Sequence, residues 1–316
     1  MRAFFIFLSK SKWLQSIFTN WSYAWKIASR FVAGTTLAES ILVVKKVNAA
    51  GFVATLDHLG EQTESLSDAQ TATEEIIDLI VAIKDNGVRS NVSIKLSQIG
   101  LVLDFEECKQ NLKKIIEKAK QCDVFVRIDM EDSSLTDATL QLLYWAHSLY
   151  GGVGIVIQSY LFRSSNDVEE LLNKGITMRL VKGAYKEPYS IAFKKKSDVD
   201  INYDLLTDKI LKDPQVKNYE PFIEGIFPSF LGLGTHDDRR IKFGINLAKQ
   251  LGLGKTQVEI QMLFGIRKDL QEKYVHSEYP VRLYIPYGIH WFPYFMRRLA
   301  ERPANVWFFV SNFFHR

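Results

Sequence analysis

Cysteine is almost absent from this 316-residue sequence, which has only Cys108 and Cys122. Both sit in or flank one predicted helix, about 20 Å apart at the helical rise per residue, which is too far for a disulfide. Reduced structural thiols in a cytoplasmic protein are therefore expected. Proline is scarce too, with eight residues and none before Pro188, so no proline interrupts the helices predicted before residue 50. No stretch reaches the roughly 18 uncharged apolar residues of a membrane span. The apolar run Phe4 to Leu8 is short, Lys10 and Lys12 follow it, and no small-residue cleavage site is present, which argues against a signal peptide. A formal charge of +4 lacks the concentrated basic stripe of a nucleic-acid-binding protein.

Glycine-rich phosphate loops are missing where an open doubly wound sheet would need one, after the first strand. The one tempting cluster, Gly252 to Thr256, ends like a P-loop, but Lys249 stands where its first glycine should be. It also precedes a strand and so reads as a turn. Metal-ligand spacing is absent as well. His236 stands alone in Thr235-His236-Asp237-Asp238, without the His-x-His of barrel metallohydrolases, and no metal is expected.

What the sequence does have is alternation. Hydrophobic residues make up 47% and charged residues 24%, ordinary for a globular protein with a sizeable core. Trp13, Ile17, Trp21 and Trp25 recur at helical spacing, so residues 1–50 read as a helical segment. From Gly51, short apolar runs alternate with amphipathic stretches. Strands are expected at 52–56, 92–96, 124–128, 154–157, 177–181, 258–262 and 281–284. A sixth, less sharply marked, is expected at Phe222–Ile226 or nearby, since residues 212–235 carry several turn signals and could hold it in either of two places. Helices are expected at 69–84, 105–120, 136–149, 168–173, 204–211, 238–251 and 267–274, with a last one starting near Pro293. Eight strand–helix units imply an α/β fold, a (β/α)8 TIM-type barrel. It would span 51–303, after the N-terminal helical extension and before an aromatic tail at 304–316.

Active sites of such barrels lie at the carboxyl ends of the strands. Polar residues that end or interrupt the apolar runs are therefore candidates: Asp57 and His58, Lys95, Asp129, Gln158, Arg179, Lys182 and Tyr284. A charge inside a strand is costly unless paired, so Lys95 and Arg179 call for an anion, and Asp129 is a natural one. Beyond the last strand, Pro293 suits the first turn of a helix. Tyr294, Arg297 and Glu301 would then share a face, with Arg298 rotated by about 100°. Two long guanidinium stems at a helix amino end form a pocket for a carboxylate or phosphate.

At these residues the sequence resembles the proline dehydrogenase family. The resemblance runs through Ser93-Ile94-Lys95-Leu96-Ser97, Arg127-Ile128-Asp129-Met130-Glu131, Arg179-Leu180-Val181-Lys182-Gly183-Ala184-Tyr185, Gln261-Met262-Leu263 and the block from Tyr284 through Glu301. It is nearest the monofunctional bacterial type. It implies non-covalent FAD and oxidation of L-proline to Δ1-pyrroline-5-carboxylate, with a quinone as the electron acceptor. Arg297, Arg298 and Lys95 would grip the substrate carboxylate. Arg179 would lie beside the flavin, hydrogen-bonded to Asp129. Met130, Gln158, Val181, Lys182, Gly183, Ala184, Thr235 and His236 would hold the cofactor. Tyr185, Leu263, Tyr284 and Tyr294 would enclose the substrate ring, and Glu301 would orient the arginine pair.

A quinone acceptor gives a functional reading to the aromatic ends, Phe4, Phe5, Trp13, Trp21 and Trp25 at one and Trp307, Phe308, Phe309, Phe313 and Phe314 at the other. They would dock peripherally on the inner membrane face, the competing reading being helices packed on the barrel or on a second copy in a homo-oligomer. A barrel lyase or aldolase acting on a small carboxylate through a Schiff base on Lys95 or Lys182 is the rival chemistry.

Overall fold

The computed structural model describes residues 22–60, 63–221 and 223–301. Eight parallel strands close into a barrel in sequential order, β1 pairing with both β2 and β8. The strands are β1 (Val53–His58), β2 (Ser90–Ile94), β3 (Val126–Ile128), β4 (Val153–Gln158), β5 (Met178–Val181), β6 (Leu231–Gly234), β7 (Val258–Leu263) and β8 (Val281–Tyr287). Helices α1 (Ser22–Ala28) and α2 (Leu37–Ala49) precede the barrel. The connections carry α3 (Leu66–Asp85), α4 (Phe105–Cys122), α5 (Thr136–Leu149), α6 (Ser164–Asn173), α7 (Lys196–Leu211), α8 (Pro214–Asn218), α9 (Asp238–Gln250) and α10 (Lys268–His276), and α11 (Trp291–Glu301) follows β8. Among the described residues no helix is long and apolar enough to cross a membrane.

Side-chain alternation explains how the sheet is used. One parity of the strands is apolar: Leu56, Val92, Ile94, Val126, Ile128, Ile155, Leu180, Leu233, Ile260 and Leu283 join the main core together with Ile76, Leu79, Leu112, Ile115 and other helix residues. The opposite parity is polar and meets across the lumen. Ser93 on β2 reaches Arg179 on β5, and Tyr284 on β8 reaches Asp129 just beyond β3. Barrel lumens of this class are usually filled by branched apolar side chains. This one is filled largely by hydrogen-bonded and ionic groups.

The sixth strand departs from expectation. It is Leu231-Gly-Leu-Gly234, not Phe222–Ile226. Two glycines in four residues suppress the usual strand signal, yet the packing demands one of them: a Cβ on Gly232 would lie 2.5 Å from Gln261 Nε2. Residues 223–230 instead close the amino end of the barrel. Gly225 O accepts from Arg282, and the Phe227 ring packs edge-on against Phe125 and Tyr150 at 5.7 and 6.4 Å. Helix α7 also begins eight residues before the expected Asp204, and α6 four before Val168.

A second apolar cluster lies at the other end. It gathers Ile27, Phe31 and Val32 from α1 and the turn after it, Leu59 after β1, Ile266 after β7, and Trp291, Phe292, Tyr294, Phe295 and Met296 of α11. Helix α11 thus lies over the carboxyl ends of β1, β7 and β8. Trp25 packs edge-on against Trp291 with ring centroids 5.4 Å apart, so this member of the N-terminal aromatic set is a packing residue. Trp13, Ile17, Trp21, the Phe4–Leu8 run, Phe222, the 304–316 tail and the side chain of Glu301 lie outside the described residues. Both cysteines sit in α4 as free thiols, and burial with Glu131 nearby pushes Cys108 up to about 12. The Gly252–Thr256 stretch is a turn and a short 3-10 helix leading into β7.

Candidate active site

At the carboxyl end of the lumen, residues of β1, β2, β5, β7 and β8, or just past β2 and β3, supply one charged cluster. Asp129, just past β3, accepts three hydrogen bonds: from Ser93 Oγ at 2.6 Å, Arg179 Nη1 at 3.1 Å and the Tyr284 hydroxyl at 2.8 Å. Arg179 lies over the Tyr284 ring, its guanidinium carbon 5.1 Å from the centroid, and its Nε donates to Gln261 Oε1 at 2.5 Å. Lys95 donates to both Asp57 oxygens at 3.1 and 3.2 Å, and its Nζ lies 3.8 Å from Asp129. The cost of charges inside strands is therefore met by mutual pairing, as the sequence required. Burial, then Asp129 and Asp57, pushes the Tyr284 phenol well above its ordinary range, so it stays a hydrogen-bond donor at neutral pH.

A shelf lies beside this cluster on β4, β5 and β6. Gln158 closes β4 and donates from Nε2 to Met130 O and Glu131 O at 3.2 and 3.3 Å, while its Oε1 is buried without a partner among the described residues. Lys182, after β5, is held by Asp200 at 2.5 Å and Asp237 at 2.7 Å. Asp237 is also the N-cap of α9, accepting from Arg239 N. Gly183 follows with φ +108°, where an added Cβ would run into the Tyr160 ring. Thr235 Oγ1 accepts from Asp237 N at 3.1 Å, and His236 Nε2 accepts from Leu263 N at 3.0 Å. That bond makes the His236 Nε2 an unprotonated acceptor, tying α9's entry to β7.

Helix α11 completes the mouth. Tyr294 is buried, Arg297 and Arg298 are half-buried, and the Arg298 guanidinium stacks on Tyr294 at 5.1 Å. Leu263 packs against the same apolar cluster. Val181 is half-buried at the end of β5, whereas Ala184 and Tyr185 are exposed on the loop beyond it. All described candidates thus lie at the carboxyl ends of strands, on the loops after them, or on the helix over them.

Sequence reasoning missed part of the cluster. Ser93 bridges Asp129 and Arg179, and Glu259 and Arg282 form a fully buried pair beneath. The signal that finds them is parity. Glu259-Ile-Gln261-Met-Leu263 and Arg282-Leu-Tyr284 place polar or site-facing residues two apart, alternating with core residues.

A family model described as proline dehydrogenase matches residues 41–311. Proline dehydrogenase 2 of Bacillus subtilis (strain 168) is 38% identical over 307 residues, covering 97% of this chain and 96% of the relative. The proline dehydrogenase of Deinococcus radiodurans is 38% identical over 294 residues, covering 91% and 90%. Among solved structures, proline utilization A from Bdellovibrio bacteriovorus, inactivated by N-propargylglycine, is similar with a TM-score of 0.80 and 25% identity. That similarity covers 92% of this chain and 34% of the other, of whose length this chain spans about a third.

Proposed function

The chain belongs to the proline dehydrogenase family, and from that premise we propose that it oxidises L-proline to Δ1-pyrroline-5-carboxylate with bound FAD, its electrons passing on to a quinone. The observation that carries this reading is the paired cluster of Lys95, Asp129, Arg179 and Tyr284 beneath a helix bearing Arg297 and Arg298. A small amino acid needs such a site: cations for its carboxylate and flat side chains for its ring.

The residues present suit the cofactor. Gln158 has a buried amide oxygen with no partner among the described residues, which an N–H of a flavin ring would satisfy. Next to it, the positive φ at Gly183 gives the backbone after β5 a bend that leaves no room for a side chain. Met130, Val181, Lys182, Ala184, Thr235 and His236 border the same shelf. Bound there, the flavin supplies the hydride acceptor.

The chain's own groups would bind, orient and exclude water. Arg297, Arg298 and Lys95 grip the substrate carboxylate, the guanidiniums through paired hydrogen bonds. Tyr284, Tyr294, Leu263 and Tyr185 wall the pyrrolidine ring, and Glu301 orients the arginine pair. Asp129 fixes Arg179 against the flavin. Tyr284 is held protonated and is therefore no base for the substrate's ammonium proton. We take proline to react as the neutral amine, so kcat/KM should rise with pH; a flat profile from neutral to alkaline pH would count against this.

Lys95 and Lys182 are each committed as donors to carboxylates, which disfavours either as a Schiff-base nucleophile. The deciding experiment is the visible spectrum of the purified protein under anaerobic conditions. A flavin spectrum bleached by L-proline is expected. A colourless protein, or a yellow one that L-proline leaves unchanged, would refute the proposal.

A further inference from the structure

Beneath the mouth, the lumen holds an ionic pair that the proposed reaction does not touch. Arg282 donates from Nε to Glu259 Oε1 at 2.7 Å and from Nη2 to Oε2 at 3.0 Å, with side-chain exposures of 1% and 3%. The arginine is anchored in turn, since its Nη1 donates to Ala54 O at 2.6 Å and Gly225 O at 3.2 Å. Buried pairs of this kind contribute little net stability against an apolar replacement, so their value lies in what they orient.

The oriented group is the Gln261 amide. Its Nε2 donates to Glu259 Oε1 at 2.6 Å, and its Oε1 accepts from Arg179 Nε at 2.5 Å. A primary amide has a donor at one end and an acceptor at the other. Flipped, it would set NH2 against the Arg179 N–H and its oxygen against the Glu259 carboxylate, two mismatches in a buried site. An ionised carboxylate only accepts, so Glu259 permits one orientation. Gly232 leaves room for that amide. With Nε held by Gln261 and Nη1 held by Asp129 and Ser93, the plane of the Arg179 guanidinium has no rotation left.

We propose that Glu259, anchored by Arg282, is a positioning residue. It locks the Gln261 amide so that the amide oxygen fixes the Arg179 guanidinium at the reacting centre. The structural half stands on the geometry, whereas the consequence for turnover rests on the role given above to Arg179.

The test is hydrogen exchange at the Arg179 Nε–H, followed by nitrogen-15 NMR in the FAD-loaded protein, together with steady-state kinetics. In the unmodified protein this proton should exchange at least tenfold more slowly than that of the exposed Arg239; equal rates overturn the proposal without any variant. Glu259→Gln should raise the Arg179 exchange rate at least tenfold and lower kcat about tenfold, with KM for proline within threefold. Exchange in E259Q within twofold of the original overturns the proposal. Gln261→Leu, which leaves the Glu259–Arg282 pair intact, must show the same loss of protection if E259Q fails to fold. Lost protection with unchanged kcat would uphold the lock and sink the role given to Arg179.

Discussion

The two ends of the barrel lumen are built from the same chemical parts and put them to different use. At the base, Arg282 and Glu259 are sealed from water and bonded to each other, to Gln261 and to the Ala54 and Gly225 carbonyls. Arg127 lies there too, stacked 4.8 Å from the Phe125 ring and donating to Ile155 O and Thr177 O; burial, with Arg179 nearby, pushes it down to about 9. At the mouth, Lys95 and Asp129 keep 14% exposure and are half-turned to solvent. The lesson is that an ion pair's character follows from its access. Closed to water it fixes geometry, and open at one side it can take up a ligand.

Three measurements would break or sharpen that contrast. The largest effect belongs to the base. Arg282→Met strips a buried carboxylate of its partner and should cost about 3–5 kcal/mol, read as a lower urea midpoint. A change below about 1 kcal/mol would place the base with the mouth.

On the mouth side, Arg298→Met should instead weaken binding of a non-reacting cyclic carboxylate by about 2 kcal/mol, roughly thirtyfold, the worth of a charge-assisted hydrogen bond. Its urea stability should move by less than about 1 kcal/mol. Titration by absorbance and urea unfolding of the same variant check both halves.

The smallest effect concerns His58, which closes β1 at the mouth. Burial first, then His290, holds its imidazole down to about 4 from an ordinary 6.5. The folded value lies below the unfolded one, so the unfolded chain takes up the proton first. Stability is therefore full above 6.5 and falls as the pH drops toward 4, by about 1 kcal/mol at about pH 5.5. Unfolding curves at several pH values should show this loss, and His58→Gln should flatten it.

The eight-unit alternation was legible because each strand's outward parity is apolar and each helix has a buried stripe, signals that local sequence carries directly. Where local signal and tertiary demand part, legibility fails. Leu231-Gly-Leu-Gly234 has poor strand propensity, and its glycine at 232 is there because the Gln261 amide occupies the space a side chain would take. The apolar stretch at 222–226 looked more strand-like, yet the segment from 223 on seals the base. Single strand-ending charges such as Lys95, Asp129 and Arg179 stood out against apolar runs. Ser93 did not, because nothing in a lone serine announces that it will bridge two charges.

The sequence by itself determined that this is a strand–helix barrel, which residues face the core, and which charged residues must find partners. Those properties depend on spacing along the chain and on the cost of burying charge. Beyond the expected Asp129–Arg179 pair, only the tertiary structure decided the pairings: Asp129 with Ser93 and Tyr284, Lys95 with Asp57, Gln261 between Glu259 and Arg179. Their partners lie on strands far apart in sequence, and barrel closure alone brings them within hydrogen-bond reach.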